Sequence, residues 1–244
     1  MNAYIHAIAS DLTLTDDIKD LIPDAGMRRR MSRLLKSSVG AAMQCLRNAG
    51  NPTVDAIVTA TGFGCLAESE QFLKNLLEND EQLLNPTPFI QSTFNTVGGQ
   101  IALLTGNVSY NMTYTHRGRS FESAVLDAVS LIETGEAACV LLGAFDFKTP
   151  TLEAVIRRLG WPEGYGEGAC FFLLNADPQG ALARLEKPEF LAESPSEEPD
   201  GGYFPTRSAQ ALSDCLAHGP LTQPVALRHH YLDTAPSVLQ VFPV

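Results

Sequence analysis

The chain is poor in cysteine, tryptophan and basic residues, and each shortage narrows what it can be. Its five cysteines (Cys45, Cys65, Cys139, Cys170, Cys215) form no C-x-x-C pair and no Cys/His cluster. That argues against a structural zinc site or a disulfide framework, and no metal or organic cofactor is expected. Four of the five stand in apolar stretches, where a free thiol packs as a small hydrophobe. Such usage suits a reducing cytoplasm. Lysine and arginine total 17 against 28 aspartates and glutamates, a net charge of −11. This balance speaks against nucleic acid or an anionic membrane as the main partner. No run of about 18 apolar residues is present, so no membrane span is expected. The opening "MNAYIHAIASDLTLTDD" has no basic segment ahead of its apolar residues and reads as a first strand, not a secretion signal.

What is present is a chain of 244 residues, 45% hydrophobic, able to bury a substantial core. Strand and helix patterns alternate along it. "AYIHAIAS" (3–10) predicts a strand. Residues 28–49 carry apolar side chains at helical spacing and stop at Gly50. "VDAIVTAT" (54–61) predicts a buried strand running into "GFG". Helices follow at 66–79 and 92–105, the second stopped by Gly106, then a strand at 108–115 and a helix at 120–134 closed by Gly135. "AACVLLGAFD" (137–146) and "GACFFLLNAD" (168–177) read as strands covered on both faces, with a short helix at 151–159 between them. Helices on both sides of a mostly parallel sheet are the expected architecture. After about residue 188 the pattern weakens. Residues 192–205 read as an exposed acidic loop, and the remainder offers one helix near 207–217 and one or two weak strands.

One local exception breaks the acidic surface. "MRRRMSRLLK" gathers Arg28, Arg29, Arg30 and Arg33, which either face solvent along a helix or dock an acidic carrier protein.

The stretch "YNMTYTHRGRSFESAVLDAV" (110–129) is a strand, a tight turn and a helix. A helix N-terminus offers unpaired N–H groups and partial positive charge, which activate a thiolate placed there. Here the turn has no cysteine, and around Ser120 "HRGRSFE" fails the G-x-S-x-G pattern of a hydrolase elbow.

Four stretches, in order, resemble the β-ketoacyl synthase branch of the thiolase superfamily: "IVTATGFG", "NPTPFIQSTFNTVGGQIALLTG", "ESAVLDAVSLIETGEAACVLLGAFD" and "YGEGACFFLLNAD". The likeness runs from about residue 28 to 177. It implies an α/β, thiolase-like N-terminal half: a mostly parallel mixed sheet with helices on both faces over residues 1–188, the family's C-terminal half truncated, and an acidic loop and short extension over 189–244. Counted back from "ESAVLDA", the family's active cysteine falls on Gly118, within one or two residues, and neither Arg117, Gly118 nor Arg119 can attack an acyl carbonyl. The family's catalytic histidines have no counterpart, and His229 and His230 are expected to be surface residues.

The resemblance therefore implies a pseudo-ketosynthase similar to chain-length factors, in particular to the short proteins of aryl polyene pathways. It would form a heterodimer with a full-length β-ketoacyl synthase and meet an acyl carrier protein through that partner. It would also shape the acyl tunnel that sets polyene or polyketide length. Tyr110, Met112, Tyr114, His116, Arg117 and Arg119 would lie at the subunit interface. Phe63, Leu66, Ser69 and Leu73, with Phe89 and Ile90, would line or gate the tunnel. The alternatives are a stand-alone acyl-binding module, or an acyltransferase or hydrolase using Ser120 or Cys65.

Overall fold

The computed structural model describes residues 1–82, 84–161, 167–192, 204–231 and 235–244. Its elements are β1 (Ala3–Ser10), α1 (Ile18–Leu21), α2 (Ala25–Arg30), α3 (Arg33–Asn48), β2 (Ala56–Ala60), α4 (Leu66–Glu78), α5 (Pro86–Gln91), α6 (Thr96–Thr105), β3 (Tyr110–Tyr114), α7 (Ser120–Thr134), β4 (Cys139–Asp146), α8 (Pro150–Leu159), β5 (Gly168–Asn175), β6 (Ala183–Leu185), β7 (Glu189–Phe190), α9 (Arg207–Leu216), β8 (Val225–His229) and β9 (Ser237–Phe242). None of the described helices is long and apolar enough to cross a membrane.

All these strands join one mixed sheet, ordered β3-β2-β4-β5-β1-β6-β9-β7, with β8 also paired to β9. Helices cover both faces. On one side α7 and α9 bury Phe121, Val125, Ile132 and Leu212 against Val58, Val140 and Phe172. On the other, α3 and α6 bury Leu35, Val39, Leu46 and Ile101 against Ile57, Leu141 and Phe171. Strands β2, β4 and β5 lie between the two layers and are buried almost throughout, which is why they read as continuous apolar runs.

The parallel share is smaller than the sequence suggests. Among the described strands only β2–β3 and β2–β4 run parallel, and their other pairs are antiparallel. The parallel strands are those linked through helices packed on a face. Helix α8 instead packs Ile156 into a small separate cluster with Phe204, Phe63 and Trp161, and β5 returns antiparallel to β4.

Two further expectations need correction. The helix expected over 28–49 is two helices. Met31 is extended and buried, and Ser32 starts α3 afresh, its Oγ accepting from Leu35 N–H at 3.2 Å. Residue 188 is also not a packing boundary. Strand β9 pairs with β6 inside the sheet, and Leu212, Leu216, Leu239 and Val241 share the α7-side core. The acidic loop falls largely on 193–203, outside the described residues.

Candidate functional site

Strand β3 forms one end of the sheet and pairs, among the described residues, only with β2. Its alternation is as expected. Asn111 and Thr113 face α6 and the neighbouring strand, with Asn111 Nδ2 donating to Gly98 O at 3.0 Å and Thr113 Oγ1 bonded to Thr59 Oγ1 at 2.8 Å. Tyr110 turns to α7, where its hydroxyl donates to Asp127 Oδ2 at 3.1 Å. Tyr110 and Met112 are each 40% exposed. Elsewhere on the surface, α4, α5 and α6 expose Leu73, Phe89, Ile90 and Leu103, all above half of their full surface.

Beyond β3 the chain turns sharply into α7. Arg117 sits at φ +46°, a left-handed conformation uncommon for a residue with a side chain. The turn is braced from within: Ser120 Oγ accepts from His116 N–H at 2.9 Å and donates to Arg117 O at 2.8 Å. Ser120 is fully buried and its hydroxyl is committed to the backbone. That is a structural post, not a nucleophile.

The other nucleophile considered, Cys65, is also buried, and burial pushes its thiol up to about 12. Burial likewise raises Cys139 to about 11 and lifts Cys45 and Cys170 further, so none supplies thiolate near neutral pH.

At the centre of the elbow is Gly118, which is buried. A Cβ added there would overlap Tyr231 Cβ and Cγ and lie 2.5 Å from its Cδ1. The side chain after it, Arg119, is half-buried against the chain's own tail. Its Nη2 and Nε donate to Ala235 O at 2.9 and 3.2 Å, and its guanidinium lies 5.2 Å from the centre of the Phe190 ring. His116 and Arg117 are exposed. One turn along α7, Glu122 Oε1 meets His229 Nδ1 at 3.1 Å, both side chains almost wholly buried. The expectation that His229 lies on the surface is thus overturned: β8 carries it under the sheet's end onto α7. His230 is half-buried.

The "GFG" turn is fixed from β4. Asp146, fully buried, accepts from Gly62 N–H at 3.0 Å, Phe63 N–H at 2.8 Å, Thr61 Oγ1 at 2.8 Å and Thr206 Oγ1 at 2.8 Å. Burial pushes its carboxyl from 3.8 up to about 6, while these donors pull it back. The turn also packs tightly on the tail, because a side chain on Gly62 would overlap Pro205.

The β-ketoacyl synthase N-terminal domain profile matches residues 15–179, more than half of the chain. The chain belongs to the β-ketoacyl synthase family. Solved structures extend the likeness past that segment. A chain of the type II polyketide synthase complex AntDE:AntF, an acyl-carrier protein with its ketosynthase bound to the hexaketide, aligns with TM-score 0.78 and 14% identity over 100% of this chain and 99% of that one. A chain of the ketosynthase ApeO in complex with its chain length factor ApeC, from Xenorhabdus doucetiae, aligns with TM-score 0.68 and 18% identity over 99% of each. The ishigamide ketosynthase/chain length factor gives 0.74 and 13% over 100% of each. At these identities the likeness speaks for the fold, including the C-terminal strands that the sequence resemblance left out. No curated protein sequence matches the chain significantly.

Within this ketosynthase-like fold, the expected tunnel residues divide. Phe63 is half-buried, edge-on to Phe204 with ring centres 6.0 Å apart, and belongs to the α8 cluster. Leu66 and Ser69 are half-buried, Ser69 Oγ donating to Cys65 O at 3.3 Å. Leu73, Phe89 and Ile90 are exposed, with Phe89 also 5.2 Å from Phe72 across the α4–α5 contact. Of the arginine run, Arg28 donates to Ile22 O and Pro23 O, Arg29 Nε donates to Ala25 O at 3.2 Å, and Arg33 pairs with Glu167 at 3.1 Å. The side chain of Arg33 nonetheless stays 78% exposed, and Arg29 and Arg30 are exposed too. A cavity of about 300 Å³ lined by Met43, Leu46, Val54 and Asn107 opens at the opposite end of β2, away from the elbow.

Proposed function

We propose that this protein is a non-catalytic, chain-length-factor-like subunit that pairs with a full-length β-ketoacyl-acyl-carrier-protein synthase. The observation that carries the reading is the combination at one sheet edge: β3, paired among the described residues only with β2 and exposing Tyr110 and Met112, leads into an elbow where Gly118 stands, within one or two residues, at the family's expected nucleophile position. An open strand edge with apolar surroundings is a liability in isolation and is normally covered. An obligate interface typically buries about 2,000 Å² or more of largely apolar surface. The ketosynthase active site would then belong to the partner, with the acyl carrier protein reaching it there.

In this pairing Leu73, Phe89 and Ile90 meet the partner's acyl tunnel, with Leu66 and Ser69 behind them on α4. Phe63 supports that wall from the GFG turn. Tunnel depth would set the number of extension steps, since overpacking a filled space costs about 1–3 kcal/mol. An aryl polyene or related polyketide is the product class favoured by the resemblance to short chain-length factors, and a cytoplasmic location follows from it.

Co-expression with a full-length β-ketoacyl synthase from a type II polyketide system tests the proposal. A stable 1:1 complex through size exclusion with light scattering is the expected result. A chain that stays monomeric or self-paired in the presence of every such synthase tried would refute it.

A further inference from the structure

The end of the chain comes back to the elbow. His229 is anchored to Glu122, and Arg119 holds Ala235 O, so the two anchors lie on either side of Tyr231 in sequence. Both are supplied by the cap and first turn of α7. Tyr231 itself is 7% exposed and lies where a side chain on residue 118 would project. Non-bonded carbons settle at about 3.5–4.0 Å, far beyond what a Cβ on residue 118 would be allowed. No side chain fits at 118 while Tyr231 holds its place.

We infer that the C-terminal tail is the built-in occupant of this subunit's nucleophile seat, with Tyr231 closing it. The chain is thus locked twice. It lacks a thiol at the mouth of α7, and an aromatic ring fills the space from which a thiol would act. Restoring a nucleophile alone would not restore presentation of an acyl-thioester, because the seat has to be emptied first. Gly118 is then as much a requirement of Tyr231 as a loss of chemistry. The inference rests on the family assignment of the elbow and not on pairing with a synthase, so it can fail or succeed independently of the proposed partnership.

The test uses the whole chain without a partner, as Gly118→Cys, Tyr231→Gly and the double variant. Thermal melting and iodoacetamide labelling, mapped by peptide mass spectrometry, are read for each, with buried Cys45 and Cys170 as internal references. Gly118→Cys alone is expected to melt well below the parent or not to fold. The double variant should melt close to Tyr231→Gly and label at residue 118 at least tenfold faster than the reference cysteines. A Gly118→Cys variant that melts like the parent and labels at 118 as fast as the double variant would overturn the inference, as would a double variant no better folded than Gly118→Cys. Hydroxyl-radical footprinting of the unmodified chain gives a check free of folding defects. Tyr231 should be protected relative to exposed Phe89, and equal oxidation of the two would also overturn it.

Discussion

Three buried polar residues, Ser120, Asp146 and Glu122, do work that the sequence does not announce. Ser120 was readable as a rival nucleophile only because its surroundings were unknown; its two backbone hydrogen bonds settle its role as a brace. Replacing it with alanine should leave two backbone groups of the elbow without that link and cost about 1–3 kcal/mol, measurable by chemical denaturation. Asp146 holds the GFG turn and Thr206 through four donor groups. Its folded pKa, about 6 against an ordinary 3.8, gives a definite sign. The folded chain binds this proton more tightly than the unfolded chain, so the contribution is full below about pH 4 and declines as pH rises through 6. The melting temperature of the parent should therefore carry a downward pH dependence between 4 and 7 that Asp146→Asn lacks. His229 and Glu122 are joined by a buried hydrogen bond, and His229→Ala, which removes that partner from Glu122, should cost about 1–3 kcal/mol. Nothing in "VALRHHYL" marks one histidine as buried. The alternation of β8 covers only five residues, too few to separate His229 from His230 by pattern.

At the scale of elements, the central strands and α7 were legible because their apolar patterns are long or run without interruption. Helix α7 and strand β1 fall on the residues the pattern predicted. The break between α2 and α3 was not legible by periodicity, since Met31 keeps the apolar rhythm while its backbone is extended. The capping serine at 32 was the available sign. Strand β3 was legible in its facing, while its span is Tyr110–Tyr114, shorter at both ends than the 108–115 the pattern predicts. Its free edge gives a sharp expectation, because a lysine on an open edge discourages strand pairing. Met112→Lys should leave the isolated chain's melting temperature nearly unchanged, as surface substitutions usually cost under about 0.5 kcal/mol. It should also weaken recovery of the synthase partner in a pull-down by tenfold or more. Equal loss of folding and of pairing would mean that β3 is merely an internal strand of this chain.

Over the whole molecule, the family resemblance located the elbow and the first core but stopped near residue 177. The tail reads as a short extension because its strands are brief, and β8 and β9 follow a segment without periodicity. Their stability comes from sheet contacts far away in sequence: β9 on β6, Tyr231 on Gly118, and Pro205 and Thr206 on the GFG turn. Such contacts leave no local signature. The tail thus packs on both the elbow and the GFG turn that precedes α4. Within a complex, Leu73→Trp should shorten the products by one or more two-carbon units while leaving this chain's own stability intact, as read by mass spectrometry of released chains. The central claim is that the ketosynthase scaffold is retained here for pairing and shape, with all acyl transfer in the partner. Its most direct test is intact mass spectrometry of both subunits after the co-purified complex is charged with an acylated carrier protein. The account predicts an acyl adduct on the synthase alone, and an adduct on this chain would contradict it.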